Sequence, residues 1–507
     1  MQKAKTQVLR HPQPELEALL KQGFTLHNQG QLAQAQVIYE QLLARQPKHF
    51  DALHLMGVLA HQRKDYAMAV AWIGKALEIN PNDAAAFNNH GNALKNLNRF
   101  REAVASYDRA IAIQPDFAAA HSNLGTALRE LNQLAEAVAS YDRAIAIKPE
   151  YAEAWHNRGN ALQELRQLDE AMASYDRAIA IKPDYANAQW NKALSLLLQG
   201  NFRQGWDLYE WGRKNGQRGA ERNFKKPLWM GVGDVANKTI LLCAEQGLGD
   251  TIQFCRYAKI VKALGARVVL EVPKMLVGLL SRLEGVDVVV QAGQALPEFD
   301  YHCSLLSLPL VFGTGLSSIP SANGYLTVEN EKVGYWKGRL ATRSRLKIGV
   351  VWNGGYRPDQ PEIWTTNERR NIPLDVFARG LNFLNADFFS LQKGDPAESE
   401  IRNRELEYWP GDNFFNYANE LIDFTDTAAL IANLDLVVSV DTSTAHLAAA
   451  MGKPTWILNR FDTCWRWMLD RDDSPWYESV KLYRQDQSRK WEPVFERLAK
   501  DVHELAA

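Results

Sequence analysis

The side chains best equipped for chemistry gather in a few short loops. In Ala244-Glu245-Gln246-Gly247-Leu248-Gly249-Asp250-Thr251-Ile252, two glycines permit close backbone approach and Asp250 stands where a helix would open. A carboxylate there can take a proton from an attacking hydroxyl; it can equally cap the helix by accepting from free N–H groups. The third glycine of a dinucleotide fingerprint is missing, which argues against a nicotinamide or flavin site. A second set of loops carries Trp352-Asn353-Gly354-Gly355, Arg369-Arg370-Asn371, Gln392-Lys393-Gly394 and Asp441-Thr442-Ser443-Thr444-Ala445-His446. Small hydroxyl residues at a helix start present free N–H groups and the positive end of the helix dipole, an arrangement suited to anions. Lys393 and Arg370 would add positive charge, Asp441 an acceptor for sugar hydroxyls, and Trp352 with Asn353 part of the cleft. His446 reads either as part of this site or as a packed helix residue. Singly each residue fits capping or core; together they favour a diphosphate-bearing donor. No Asp-x-Asp triplet ends a strand, and Asp470-Arg471-Asp472 reads as a surface loop, so no metal is expected.

Strands must carry these loops. From Lys225 onward, β-branched runs alternate with helical stretches, predicting strands at Thr239–Cys243, Arg267–Val272, Val286–Val290, Lys347–Trp352, Phe388–Leu391, Asp435–Val440 and Thr455–Leu458. Near-continuous apolar strands separated by helices imply parallel sheets covered on both faces. Such sheets bind ligands beyond the C-terminal ends of their strands. The polar segment Asn323–Arg345 divides the region into two Rossmann-like halves.

The first half of the chain is an array. Prolines at Pro47, Pro81, Pro115, Pro149 and Pro183 stand 34 residues apart, as do Gly23, Gly57, Gly91, Gly125 and Gly159. VASYDRAIAIQP, VASYDRAIAIKP and MASYDRAIAIKP are nearly one phrase repeated. Each unit predicts two helices, the glycine admitting the second helix close to the first, and proline ending the unit. A unit cannot bury its own apolar face, so units stack. The spacing closely resembles the tetratricopeptide repeat, and residues 184–224 keep the phase with Ala193, Gly205 and Tyr209 while losing the proline. Asn89, Asn123, Asn157 and Asn191 recur at one phase of the first helix. An amide can hold a peptide C=O and N–H together regardless of its sequence. This ladder is similar to that in the superhelix of O-GlcNAc transferases and reads either as an acceptor-peptide clamp or as polar filler.

Composition bounds the rest. The 507 residues exceed one core, and 58 Lys+Arg against 59 Asp+Glu argue against a dedicated nucleic-acid binder. Four cysteines without a CxxC pair form no disulfide framework or zinc knuckle. The start lacks a secretory signal and no run spans a membrane, so a cytoplasmic protein is expected.

Gly247-Leu248-Gly249-Asp250 and Asp435-Leu436-Val437-Val438-Ser439-Val440-Asp441-Thr442 through His446 and Gly452-Lys453-Pro454 resemble the heptosyltransferase family of lipopolysaccharide synthesis. Trp465-Arg466-Trp467 and Asp473-Ser474-Pro475-Trp476-Tyr477 resemble bacterial proteins that fuse tetratricopeptide repeats to this domain, flagellin-modifying glycosyltransferases among them. The resemblance implies a GT-B fold, an inverting and metal-independent reaction, Asp250 as base, and diphosphate binding at Lys393 and Thr442–Thr444. Ser443 stands where the family usually has glycine, and Glu368 where the subgroup usually has aspartate. The expected organisation is an N-terminal extension (1–15), five repeats (16–183), a degenerate sixth repeat and linker (184–224), an acceptor-side lobe (225–340) and a nucleotide-sugar lobe (341–507). The leading expectation is transfer of a sugar from a nucleotide-sugar to Ser or Thr of a protein bound by the repeats. The alternatives are a glycan or lipid-linked acceptor, and a non-catalytic scaffold.

Overall fold

The computed structural model describes residues 13–219, 222–320, 324–355, 368–409 and 411–506. The chain forms two compact units, residues 1–188 and 189–507. Among the described residues no helix is long and apolar enough to cross a membrane.

The first unit is a superhelix of paired helices: α1 (Gln13–Asn28) with α2 (Leu32–Arg45), α3 (Phe50–Gln62) with α4 (Tyr66–Ile79), α5 (Ala84–Asn96) with α6 (Phe100–Ile113), α7 (Ala118–Glu130) with α8 (Leu134–Ile147), and α9 (Ala152–Glu164) with α10 (Leu168–Ile181). The turn inside each pair needs one left-handed residue, and Gly30, Lys64, Asn98, Asn132 and Arg166 supply it at the same 34-residue step. Inside the pairs, a Cβ on Gly91, Gly125 or Gly159 would fall 2.6, 2.8 or 2.5 Å from a ring carbon of Tyr107, Tyr141 or Tyr175. The three rings are fully buried. Each hydroxyl donates to a first-helix residue fifteen positions earlier: Asn92 at 2.8 Å, Thr126 at 3.2 Å, Asn160 at 3.0 Å. Ring and glycine thus set the distance between the two helices, and the hydroxyl sets their register.

In the second unit the chain completes α11 (Ala186–Leu198), adds α12 (Phe202–Tyr209), and then builds two wholly parallel sheets. The first contains β1 (Thr239–Cys243), β2 (Arg267–Val272), β3 (Val288–Gln291) and β4 (Tyr301–Ser304) in the order β3-β2-β1-β4. The second contains β5 (Leu346–Val351), β6 (Ala386–Ser390), β7 (Phe414–Asn416), β8 (Leu436–Val440), β9 (Thr455–Asn459) and β10 (Val480–Arg484) in the order β10-β9-β8-β5-β6-β7. Every residue of β8 is buried, as is every residue of β1 and β2 after the first, so both faces of the sheets are covered, as near-continuous apolar strands require. The strands expected at 239–243 and 267–272 stand at those bounds; the others shift by one or two residues. Strands β4, β7 and β10 were not expected, and each is a sheet edge, where a strand needs fewer apolar residues. The segment that divides the sheets packs with the second one: Tyr325 N–H donates to Ala450 C=O at 2.8 Å, and Lys332 pairs with Asp426 at 2.6 Å.

The glycine contacts make a paired prediction. Gly125→Ala drives a methyl into Tyr141 and is expected to destabilise the first unit by about 1–3 kcal/mol. Gly74→Ala on α4 meets nothing within 4 Å and is expected to stabilise it by about 0.5–1 kcal/mol. Urea unfolding followed by circular dichroism separates them; equal effects would refute the close-approach role of Gly125.

Candidate functional site

The loop after β1 leads into a short helix, Leu248–Phe254, with Gly247 at its cap position. Asp250 lies in the first turn, and its Oδ2 accepts from Gly247 N–H at 2.9 Å. Its other oxygen accepts from Arg466, which projects from the loop after β9. Arg466 also donates from Nε to Gln253 Oε1 at 2.9 Å and lies over the Trp465 ring at 4.4 Å.

The helix Ser443–Ala450 faces this loop from the other sheet. Thr442 caps it, its hydroxyl accepting from Ala445 N–H at 3.3 Å and bonding Ser439 Oγ at 2.9 Å. Helix geometry leaves Ser443 and Thr444 N–H without intrahelical acceptors, and Asp441, Thr442, Ser443 and Thr444 are all half-buried. A Cβ on Gly249 would lie 2.9 Å from His446 Cδ2 and 3.5 Å from Ser443 Cα, so only glycine lets the two helix starts meet this closely. The expected base and the expected anion mouth are therefore neighbours.

The remaining donor residues divide. Asn353 N–H donates to Gln392 Oε1 at 3.0 Å, and Asn353 Oδ1 accepts from Gly355 N–H at 2.9 Å, so Asn353 shapes its own loop. Arg370 lies over Gly354 and donates to its C=O at 3.3 Å. Lys393 is exposed, its ammonium donating to Ala418 C=O at 2.7 Å. Trp352 and His446 are both buried. Trp352 is buried against Phe377 in the core of the second sheet, because an indole at a strand end fills the space beneath the covering helix. His446 is buried too: its ring stacks on Trp467 at 5.2 Å, Nδ1 bonds Tyr477 OH at 2.9 Å, and Nε2 lies 3.8 Å from Asp441. Both shape the site from beneath.

Sequence reasoning missed three residues here. Arg466 was visible only inside the stretch Trp465-Arg466-Trp467. Gln392 holds the Trp352 and Asn353 N–H groups, and its signal was a polar residue between a buried strand and Lys393. Arg460 follows β9 and shares Asp462 with Arg369, at 3.8 and 3.5 Å. Among the described residues no group of three or more His, Cys, Asp or Glu is placed to hold a metal.

The last repeat supports the Asp250 loop. Trp206 of α12 donates to Thr314 C=O at 2.9 Å and sets its ring edge-on to Trp465 at 5.3 Å. Tyr209, at the repeat-tyrosine position, reaches Gln246 Oε1 at 3.5 Å. Arg218 is wholly buried between Glu210 and Glu245 at 2.5 and 2.8 Å.

In the first unit, the amide ladder is bonded between successive first helices. Asn89 Nδ2 meets His54 Nε2 at 3.0 Å, and Asn123 Nδ2 donates to Asn88 Oδ1 at 2.9 Å, each 35 residues back. Asn157 bonds His156, and Asn191 belongs to the second unit.

Residues 26–89 and 152–185 match tetratricopeptide-repeat models and 91–128 and 125–166 a TPR-repeat model; residues 394–460 match glycosyltransferase family 9 (heptosyltransferase). The chain joins tetratricopeptide repeats to a glycosyltransferase family 9 domain. The transferase match contains Asp441–Thr444 and the Ser443–Ala450 helix and does not extend to Asp250. Protein FlbA of Caulobacter vibrioides is 28% identical over 341 residues, 62% of this chain and 55% of that protein; the chain thus spans about half the length of the curated relative it matches. Among solved structures, YrrB, titled a TPR protein with an unusual peptide-binding site, is 23% identical with a TM-score of 0.32, covering 35% of this chain and 91% of that one. PilF of Pseudomonas aeruginosa is 18% identical with a TM-score of 0.37, covering 41% and 93%.

Burial pushes the His446 imidazole down to about 4 from 6.5, against an upward pull from Asp441. The folded protein therefore binds fewer protons there than the unfolded chain. The stability from neutral His446 is complete above the ordinary imidazole value and is lost as pH falls toward 4. Between about pH 7 and about pH 5 the loss is about 2 kcal/mol. Thirteen of 15 tryptophans follow residue 184, so tryptophan fluorescence reports the second unit. His446→Asn is expected to flatten the pH dependence of its urea unfolding across that window; an unchanged slope would refute the assignment.

Proposed function

We propose that the transferase domain works as a GT-B enzyme, moving a sugar from a nucleoside-diphosphate donor to a serine or threonine of a polypeptide held by the repeats. The acceptor oxygen attacks the anomeric carbon opposite the diphosphate, inverting its configuration. The bond from that carbon to the phosphate oxygen breaks, its electron pair leaving with the nucleotide. Asp250 takes the acceptor's proton. The Ser443 and Thr444 N–H groups, with Lys393 and Arg370, receive the charge that grows on the departing diphosphate, and no metal takes part. The observation that carries this reading is the meeting of the Asp250 loop with the Thr442–Thr444 helix start, across the side-chain-free surface of Gly249.

Asp250→Asn is expected to lower transfer by about a hundred- to ten-thousandfold and to retain nucleoside-diphosphate binding. A thermal-shift panel of UDP, GDP, ADP, CMP and dTDP identifies the nucleotide. Transfer that survives Asp250→Asn would remove the base assignment, and failure of all five nucleotides to stabilise the wild type would favour a scaffold without turnover.

One observation favours a second acceptor class. Two ladder amides already bond the preceding first helix, Asn89 to His54 and Asn123 to Asn88, and the nearby Asn92 and Asn160 accept from tyrosine hydroxyls, which leaves less of each amide for a peptide. On that reading the acceptor is a glycan or a lipid-linked saccharide. Replacing Asn89 and Asn123 together by Ala is expected to raise KM for a protein acceptor about tenfold, one lost hydrogen bond or so, with kcat unchanged. An unchanged KM would favour the saccharide.

A further inference from the structure

Asp250 and Arg466 follow strands of different sheets and meet where both are largely covered, with side chains 17% and 12% exposed. A guanidinium is charged at every accessible pH, so a buried one needs a counter-charge at all times. Here that counter-charge is the residue proposed as base, with Gln253 Oε1 and Cys464 Sγ (3.1 Å) as neutral partners. Arg466 is also tied to the anion mouth. The next residue, Trp467, stacks on His446 in the first turn of the Ser443–Ala450 helix.

Transfer changes both charges beside Arg466. When the acceptor's proton reaches Asp250, the carboxylate becomes neutral and can no longer balance a guanidinium. In the same step the bond to the sugar breaks and the diphosphate gains a negative charge. The cation left by the first change is the cation required by the second, and one side-chain rotation on an anchored backbone serves both.

We propose that Arg466 is shared between base and donor: it pairs with Asp250 in the donor-free protein and turns to the phosphates when a nucleoside diphosphate occupies the Thr442–Thr444 mouth, so that donor binding frees the base. This inference rests on the donor site proposed above. Because such coupling is reciprocal, whatever loosens Arg466 from Asp250 must tighten diphosphate binding. A fixed, purely structural Arg466 has no such consequence.

The test is calorimetric titration of the full chain with whichever nucleoside diphosphate stabilises it, beside the matching monophosphate. Asp250→Asn keeps the side chain's shape and removes its charge; it is expected to bind the diphosphate about five- to tenfold tighter than wild type, the low end of site-to-site coupling, with a smaller gain for the monophosphate. Arg466→Gln is expected to weaken diphosphate binding about tenfold, and adding Asp250→Asn to it is expected to bring no further gain. Should Asp250→Asn not fold, Arg466→Lys keeps most of the affinity and Arg466→Gln loses it if the cation is shared; both stay at wild-type affinity if it is not. Equal diphosphate affinity in wild type and Asp250→Asn would overturn the shared cation and leave the donor site standing. Absence of diphosphate binding in the wild type would overturn both.

Discussion

The two sheets of the second unit meet where the Gly249 backbone lies against His446 and Ser443, a contact that admits no side chain. Much of the candidate site depends on that approach. It sets two helix starts against each other, each with N–H groups that helix geometry leaves unsatisfied. Beneath it the surroundings are fixed by packing: His446 is held by Trp467 and Tyr477, and Tyr477 lies under the buried guanidinium of Arg256 at 4.7 Å. Arg256 in turn donates to Trp476 C=O at 2.8 Å and to Tyr325 OH at 3.0 Å. Residues that carry no chemistry thus hold in place those that can.

The degenerate sixth repeat is part of this support. In the intact repeats the tyrosine hydroxyl returns to its own unit, whereas Tyr209 extends to Gln246 in the loop that precedes Asp250. Trp190, which takes the phase of Asn88 and His156, sets its ring tilted against Tyr209 with centroids 4.4 Å apart. The loss of the terminal proline fits the same change. A unit that ends in a stop signal passes the chain to another repeat; one that runs into Glu210 and Arg218 buries ion pairs against the transferase domain. The departures from the repeat consensus fall where the chain's packing partner changes.

Legibility followed the number of neighbours each element has. Repeats read easily because Gly125, Tyr141 and their equivalents obey one packing rule five times over, with Ile73 as the single aliphatic substitute for the ring. Central strands read easily because burial on both faces demands unbroken apolar runs. Edge strands such as Tyr301–Ser304 and Phe414–Asn416 carry too little of that signal. In the candidate site, the helix start at Thr442 was legible because small hydroxyl residues favour capping. Arg466 was not, since its partner lies 216 positions away and no spacing rule links them. Trp352 reads two ways for a physical reason: an aromatic residue at a strand end fills a core or walls a cleft with the same composition.

Asp250 carries two readings at once, helix cap and proposed base. A carboxylate in the first turn of a helix is expected to cap it, and capping would seem to exclude proton transfer. The two oxygens divide the work. Oδ2 accepts from Gly247 N–H, fixing the side chain in one orientation, and Oδ1 is turned toward the other sheet, where Arg466 meets it. An uncapped aspartate would rotate freely and lose orientation entropy on every encounter with an acceptor. A capped one is already aimed. The capping bond is therefore the feature that would let a short helix serve as the rigid mount for a base.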